Sequence, residues 1–163
     1  MLPAALTDPA NAIAERLTVR GETVAIAESA SGGLISAALL TVPGASAYYA
    51  GGVVIYTLVG ASAVLSPDDP LPEDTRGASE PFAQWLAARA AARLDAQWGV
   101  GETGASGPTG NRYGDPAGHA WVAVRGPDGQ TRTRNVLTGS ADRGENMERF
   151  AAAALGLLLE ALS

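Results

Sequence analysis

The chain has 163 residues, of which 47% are apolar and 17% charged, with a net charge of −6 and a pI near 4.7. That length supports one core, so a single domain over residues 1–163 is expected. The eleven cationic side chains are all arginine and are spread along an acidic chain, which excludes the clustered basic footprint that nucleic acid requires.

With no cysteine there is no disulfide and no thiolate metal site. The apolar runs stop well short of the roughly 20 residues that span a bilayer, and Met1-Leu2-Pro3 lacks a basic leader. A cytoplasmic protein with no membrane partner is expected.

In chain order, Asp8-Pro9 reads as a helix cap followed by proline at the first helical position, with Ile13 and Leu17 on one face and Gly21 as the stop. Thr23 to Ala27 is a short strand, and Gly33 to Leu40 is a second helix that ends before Pro43-Gly44. Tyr48 to Thr57 reads as a strand whose run Val53-Val54-Ile55-Tyr56 predicts burial on both faces. Leu58 to Leu65 fits a helix or a loop. Ser66 to Arg76, with Pro67, Asp68, Asp69, Pro70 and Pro72, is a solvated connector.

Ser79 caps the clearest helix, with Pro81 in its first turn and Phe82, Leu86, Ala90 and Leu94 near helical spacing, up to about Gly99. Val100 to Thr103 is a strand, and Gly104 to Gly118 is a loop with five glycines. His119 to Arg125 and Thr131 to Thr138 flank the turn Pro127-Asp128-Gly129 and form a hairpin. The last helix runs from about Asp142 to Leu162. Alternating helices and strands that end in a hairpin predict an α/β fold, a mixed sheet with helices on both faces.

Two loops carry the candidate chemistry. Ala27-Glu28-Ser29-Ala30-Ser31-Gly32-Gly33 places Ser29 at a strand-to-helix turn, where the free N–H groups of Ser31, Gly32 and Gly33 and the helix dipole favour an anion or a developing oxyanion. Taken alone, Ser29 reads more readily as a residue that packs a tight turn or caps a helix than as a nucleophile. The second loop, Gly104-Ala105-Ser106-Gly107-Pro108-Thr109-Gly110-Asn111-Arg112, is no Walker loop, because it lacks Gly-Lys-Ser/Thr and precedes a strand. Its glycines open the backbone of Gly104, Ala105, Ser106 and Gly107 to an oxygen, and Arg112 adds charge. A purely structural crossing is the competing reading. Both loops follow carboxyl ends of strands, where open α/β sheets bind ligands.

These motifs together with Pro43-Gly44-Ala45-Ser46, Gly52-Val53-Val54-x-Tyr56-Thr57, Ala78-Ser79-Glu80-Pro81 and Pro116-x-Gly118-x-x-Trp121 resemble the CinA C-terminal domain family, in order from about Thr7 to Leu162. The resemblance implies a three-layer α/β/α sandwich with a mixed, mostly parallel sheet. It also implies an amidohydrolase that releases ammonia from nicotinamide mononucleotide with no metal and no cofactor. Ser29 matches the family's nucleophile. The lysine that partners it sits in a Tyr-Ser/Thr-Asn-Glu-Ala-Lys stretch, which here reads Tyr56-Thr57-Leu58-Val59-Gly60-Ala61.

Ala61 cannot accept a proton, and no lysine elsewhere can replace it. Glu28, Glu80, Glu102 and His119 are the alternative bases, with Glu102 standing where the family carries a small or hydroxylic residue; Glu28 and Glu80 also read as residues that orient loops or cap helices, and His119 as a structural histidine in its strand. Tyr56 either bonds the ligand or fills the sheet. Arg143 or Arg149, at the family's Gly-Asp-Arg element, is a candidate phosphate contact. Three functions stay open: a deamidase using Ser29, a degenerate member that binds a nucleotide-like ligand or a protein partner, and an amidohydrolase of altered specificity. Related proteins imply a homo-oligomer, with the apolar last helix as one surface for it.

Overall fold

The computed structural model describes residues 1–65, 71 and 74–163. The chain folds as α1 (Ala4–Arg20), β1 (Val24–Glu28), α2 (Leu34–Leu40), β2 (Tyr49–Val54), α3 (Leu58–Leu65), α4 (Glu80–Arg93), β3 (Trp98–Ala105), β4 (His119–Arg125), β5 (Thr131–Leu137) and α5 (Arg143–Ala161). The five strands form one sheet in the order β2-β1-β3-β4-β5. β1 runs parallel to both β2 and β3, whereas β3–β4 and β4–β5 are antiparallel. The sheet is therefore mixed, as expected, and mostly parallel only loosely: β4 alone runs against the other four strands, which leaves two parallel and two antiparallel pairings.

Side-chain alternation along the strands divides the core into two layers. Val24 and Ile26 of β1, Val100 of β3 and Val122 and Val124 of β4 face α1, α2 and α5, joining Leu6, Ile13, Leu17, Ile35, Leu39, Leu155 and Leu158. Ala25 and Ala27, one residue out of phase, face α3 and α4 with Ile55, Ala61, Phe82 and Leu86. On that second face α4 lies directly on the backbone of β3. A Cβ on Gly99 would come within 2.0 Å of the Ala87 carbonyl oxygen, and one on Gly101 within 2.1 Å of that of Ala83.

Helix ends follow local chemistry. Gly21 takes the left-handed conformation that stops α1. Ser79 and Asp142 cap α4 and α5 by accepting from the Phe82 and Glu145 N–H groups. Arg16 and Arg20 of α1 donate to the Leu159 and Leu162 carbonyls, closing the end of α5.

Several boundaries differ from the sequence reading. The first helix starts at Ala4 and not after Asp8, with Pro9 inside it. The carbonyl deprived of its partner by Pro9 belongs to exposed Ala5, where water can serve it. β2 is an edge strand with alternating exposure, not one buried on both faces; Val54 is 55% exposed. Leu58–Leu65 is helical, and β3 extends to Ala105, so Gly104 and Ala105 pair with Ala120 and His119 rather than lying in a loop. Within the connector, Ser66 to Pro70, Pro72 and Glu73 lie outside the described residues.

Candidate active site

β1 leads through α2 to β2 on one side and is flanked by β3 on the other, so the chain order reverses at the β1–β3 junction. Crevices open at the carboxyl ends of strands at such a point. Here a cleft of about 600 Å³ is lined by Ser29 from the β1–α2 turn, Ile55 to Val59 around the start of α3, Ala78 and Phe82, Thr103 and Gly104 of β3, and Asn111 to Tyr113. The sequence loops that follow β1 and β3 thus meet in one cavity.

Ser29 stands on the α3/α4 side of the sheet. No described residue hydrogen-bonds its hydroxyl, so it is free to meet a ligand. The backbone beneath it is fixed by Glu102, whose Oε2 accepts the Ser29 N–H at 3.0 Å and the Ser31 N–H at 2.9 Å. Between them the Ala30 N–H has no hydrogen-bond partner among the described residues, while the Ala30 carbonyl accepts from Ser106 Oγ at 3.1 Å.

The other donors expected at this turn are occupied. Gly32 N–H reaches the Ser29 carbonyl, and the Gly33 and Ile35 N–H groups go to Glu28 Oε2 at 3.1 and 3.0 Å. Glu28 Oε1 accepts from both the Ser36 N–H and its hydroxyl. A protein carboxylate therefore already fills the amino end of α2, the place where a ligand anion was expected.

Glu102 is fully buried on the α2/α5 side of the sheet, bonded to the Ser29 backbone and not to its hydroxyl. Burial is the main cause that raises its pKa to about 7, with the nearby Glu28 charge adding to it against the hydrogen bonds of Ser31 and Ser29. Glu80 accepts from Thr133 Oγ1 at the start of α4. His119 sits in β4 with Asp115 at 3.7 Å and does not line the cleft.

Tyr56 lies at the cleft wall, 67% exposed, and its hydroxyl accepts from Arg143 at 2.8 Å. Arg143 also donates to the Gly107 carbonyl, while Arg149 pairs with Glu145 at the surface. Ser106 is buried, and its carbonyl accepts from Asn146 Nδ2. Arg112 reaches the cleft rim, its guanidinium lying 5.0 Å from the Tyr113 ring.

Sequence reasoning left Asn111, Tyr113, Thr103 and Phe82 unassigned as lining residues. The loop-orienting or helix-capping role read for Glu28 is the one it has at the amino end of α2, whereas the place of Glu102 beneath the turn was missed. The signal was present, because Val24-Ile26-Glu28 and Val100-Glu102 keep one strand period and so carry each acid onto the buried face. Among the described residues no group of acids and histidines is placed to hold a metal, and no helix is long and apolar enough to cross a membrane.

A switch-point cleft with a serine on its strand-to-helix turn, set in a three-layer α/β/α sandwich, defines the class of protein. The family model of the CinA C-terminal domain matches residues 6–162, and the chain belongs to that family. A "CinA-like protein" of Anaeromyxobacter sp. (strain Fw109-5) is 42% identical over 150 residues, covering 92% of this chain and 36% of that protein. One from Gloeobacter violaceus is 39% identical over 140 residues, covering 86% of this chain and 32% of that one. The chain thus spans about a third of the length of the curated relatives it matches.

Solved structures agree over nearly whole chains. The competence/damage inducible protein CihA from Agrobacterium tumefaciens superposes with a TM-score of 0.90 at 29% identity, covering 99% of this chain and 98% of that one. The competence damage-inducible protein A (ComA) from Klebsiella pneumoniae gives 0.89 at 28% identity, covering 96% of each.

Proposed function

We propose that this chain is an amide hydrolase that takes nicotinamide mononucleotide, or a close nucleotide-like amide, into the cleft and attacks its amide carbonyl with Ser29. The observation that carries the reading is Ser29, which lines the cleft with a hydroxyl that has no hydrogen-bond partner among the described residues, followed in the chain by an Ala30 N–H that has none either. Ser29 Oγ adds to the carbonyl carbon, the Ala30 N–H receives the oxyanion, and the serine proton leaves with ammonia. Water then hydrolyses the acyl-serine to the carboxylate. Arg112 at the rim supplies a cation for the substrate phosphate.

No amine assists the first step. Ala61 is fully buried among Ala25, Ala27, Ile55 and Phe82 and offers no base. Loss of general-base help costs roughly 10²–10⁴-fold in rate, so slow turnover is expected. The same observation, with apolar Leu58 and Val59 on the cleft wall, supports a second reading: a member that binds such a ligand without efficient turnover.

The deciding experiment measures ammonia release from nicotinamide mononucleotide by the wild type, Ser29→Ala and Ala61→Lys, with calorimetric binding in parallel. Slow wild-type turnover that disappears in Ser29→Ala supports the hydrolase. Binding without turnover selects the second reading, and turnover that survives Ser29→Ala overturns the serine mechanism.

A further inference from the structure

Two buried acids meet at a single hydroxyl beneath the Ser29 turn. Ser31 Oγ lies 2.8 Å from Glu28 Oε2 and 2.7 Å from Glu102 Oε2, and all three residues are fully buried. A hydroxyl has one hydrogen to donate, so with both acids ionised one of these contacts would set two lone pairs against each other. Both contacts are hydrogen bonds only if a second proton is present.

The surroundings say which acid holds it. Glu28 accepts four further hydrogen bonds, from the Gly33, Ile35 and Ser36 N–H groups and the Ser36 hydroxyl, at the positive end of α2. Such a set suits a carboxylate. Glu102 has Oε1 buried with no partner among the described residues, which suits a neutral carboxyl far better than an anion. The consistent arrangement has Glu102 donating to Ser31 Oγ and Ser31 donating to Glu28 Oε2.

We propose that Glu28, Ser31 and Glu102 share one proton between two carboxyl groups, and that this proton locks the backbone turn presenting Ser29. The lock is direct, because the oxygen of Glu102 that meets Ser31 Oγ also accepts the Ser29 and Ser31 N–H groups. Glu102 is thus a positioning residue that acts on Ser29 through the main chain, and among the described residues no carboxyl touches the Ser29 hydroxyl.

The groups facing the pair are few. β1 contributes Glu28 itself, and the α2 turn contributes Ser31 and Ser36. β4 places Val122 opposite Glu102, and α5 turns Asn146 and Phe150 inward while keeping Arg143, Glu145 and Arg149 exposed. Tyr49 of β2 is held near Ser36, its pKa raised chiefly by burial. The charged residues of α4 lie across the sheet. Among the described residues, Glu28 is the charge that bears on Glu102.

The sign follows. An acid whose folded pKa lies above its unfolded value holds its proton more tightly when folded, so stability declines as pH rises through the interval between the two. For Glu102 that interval runs from 4.5 to about 7.

The test needs no ligand. In the wild type, carboxyl ¹³C shifts of the two glutamates are followed by NMR from about pH 4 to 8, alongside protection factors of the Ser29 and Ser31 amides. One carboxyl is expected to stay ionised while the other loses its proton near neutrality, with the amide protection falling over the same range. Glu102→Gln keeps a neutral group of the same shape, so its Tm advantage over the wild type should grow as pH rises from about 5 to 8. Both carboxyls ionising together below about pH 5 overturns the proposal, and so does a Tm difference that is flat with pH. If Glu102→Gln does not fold, the wild-type titration decides alone.

Discussion

Arg143, the first residue of α5, donates to the Tyr56 hydroxyl at 2.8 Å and to the Gly107 carbonyl at 2.8 Å, tying the wall of the cleft to the crossover between β3 and β4. Both bonds lie at the surface, where such contacts contribute little to folding. Arg143→Ala is therefore expected to change stability by less than about 0.5 kcal/mol in urea unfolding. Ligand affinity is expected to fall about three- to tenfold, because Tyr56 loses the partner that orients it. An unchanged calorimetric affinity would show that Tyr56 is not part of the binding wall.

Ser29→Ala should leave the fold intact. The hydroxyl has no hydrogen-bond partner among the described residues, so a change of less than about 0.5 kcal/mol in unfolding free energy is expected. A Tm drop of several degrees would mean that the hydroxyl is structural.

Glu28→Ala is expected to be among the most damaging single substitutions. It strips five donors of their acceptor, including three backbone N–H groups in and just before α2. A loss of about 3–5 kcal/mol is expected, measured by urea unfolding, from buried donors left unsatisfied.

Gly101→Ala tests the contact between α4 and β3. The added methyl would meet the Ala83 carbonyl oxygen, which is backbone and cannot rotate away. About 2–3 kcal/mol of destabilisation is expected, and a neutral effect would show that α4 can lift from the sheet at little cost.

Ala61→Lys inserts an amine beside Ile55 and Phe82, two residues that also line the cleft. Burial lowers a lysine pKa, so the folded protein would bind this proton less tightly than the unfolded chain. The destabilisation should then shrink as pH rises toward about 10, the ordinary lysine value. Faster ammonia release in this variant than in the wild type would show that the rest of the cleft is competent. A Tm deficit constant from neutral to alkaline pH would place the amine in solvent.

Much of the fold was legible because it rests on local chemistry. Ser79, Asp142 and Gly21 mark helix ends by hydrogen bonds and a backbone conformation that need no tertiary knowledge. The hairpin of β4 and β5 followed from its turn. The β2 error has a physical cause: an apolar run such as Val53 to Tyr56 looks the same in a central strand as on an edge beside an apolar cleft. Pro9 misled in a similar way, since its cost in a helix depends on whether the orphaned carbonyl reaches water. At the site, Ser29 and the glycine crossover were found by position after strands. Strand period carries Glu28 and Glu102 onto the buried face, but their meeting at Ser31 depends on two strands distant in sequence lying side by side, which no single segment shows.

With its own carboxylate seated at the start of α2, this protein has no vacancy there for a visiting phosphate. The β3–β4 crossover places Asn111 and Arg112 at the cavity, outside both core layers. On the proposed function, substitutions there would alter which molecule the cleft accepts while the sandwich beneath stays as it is.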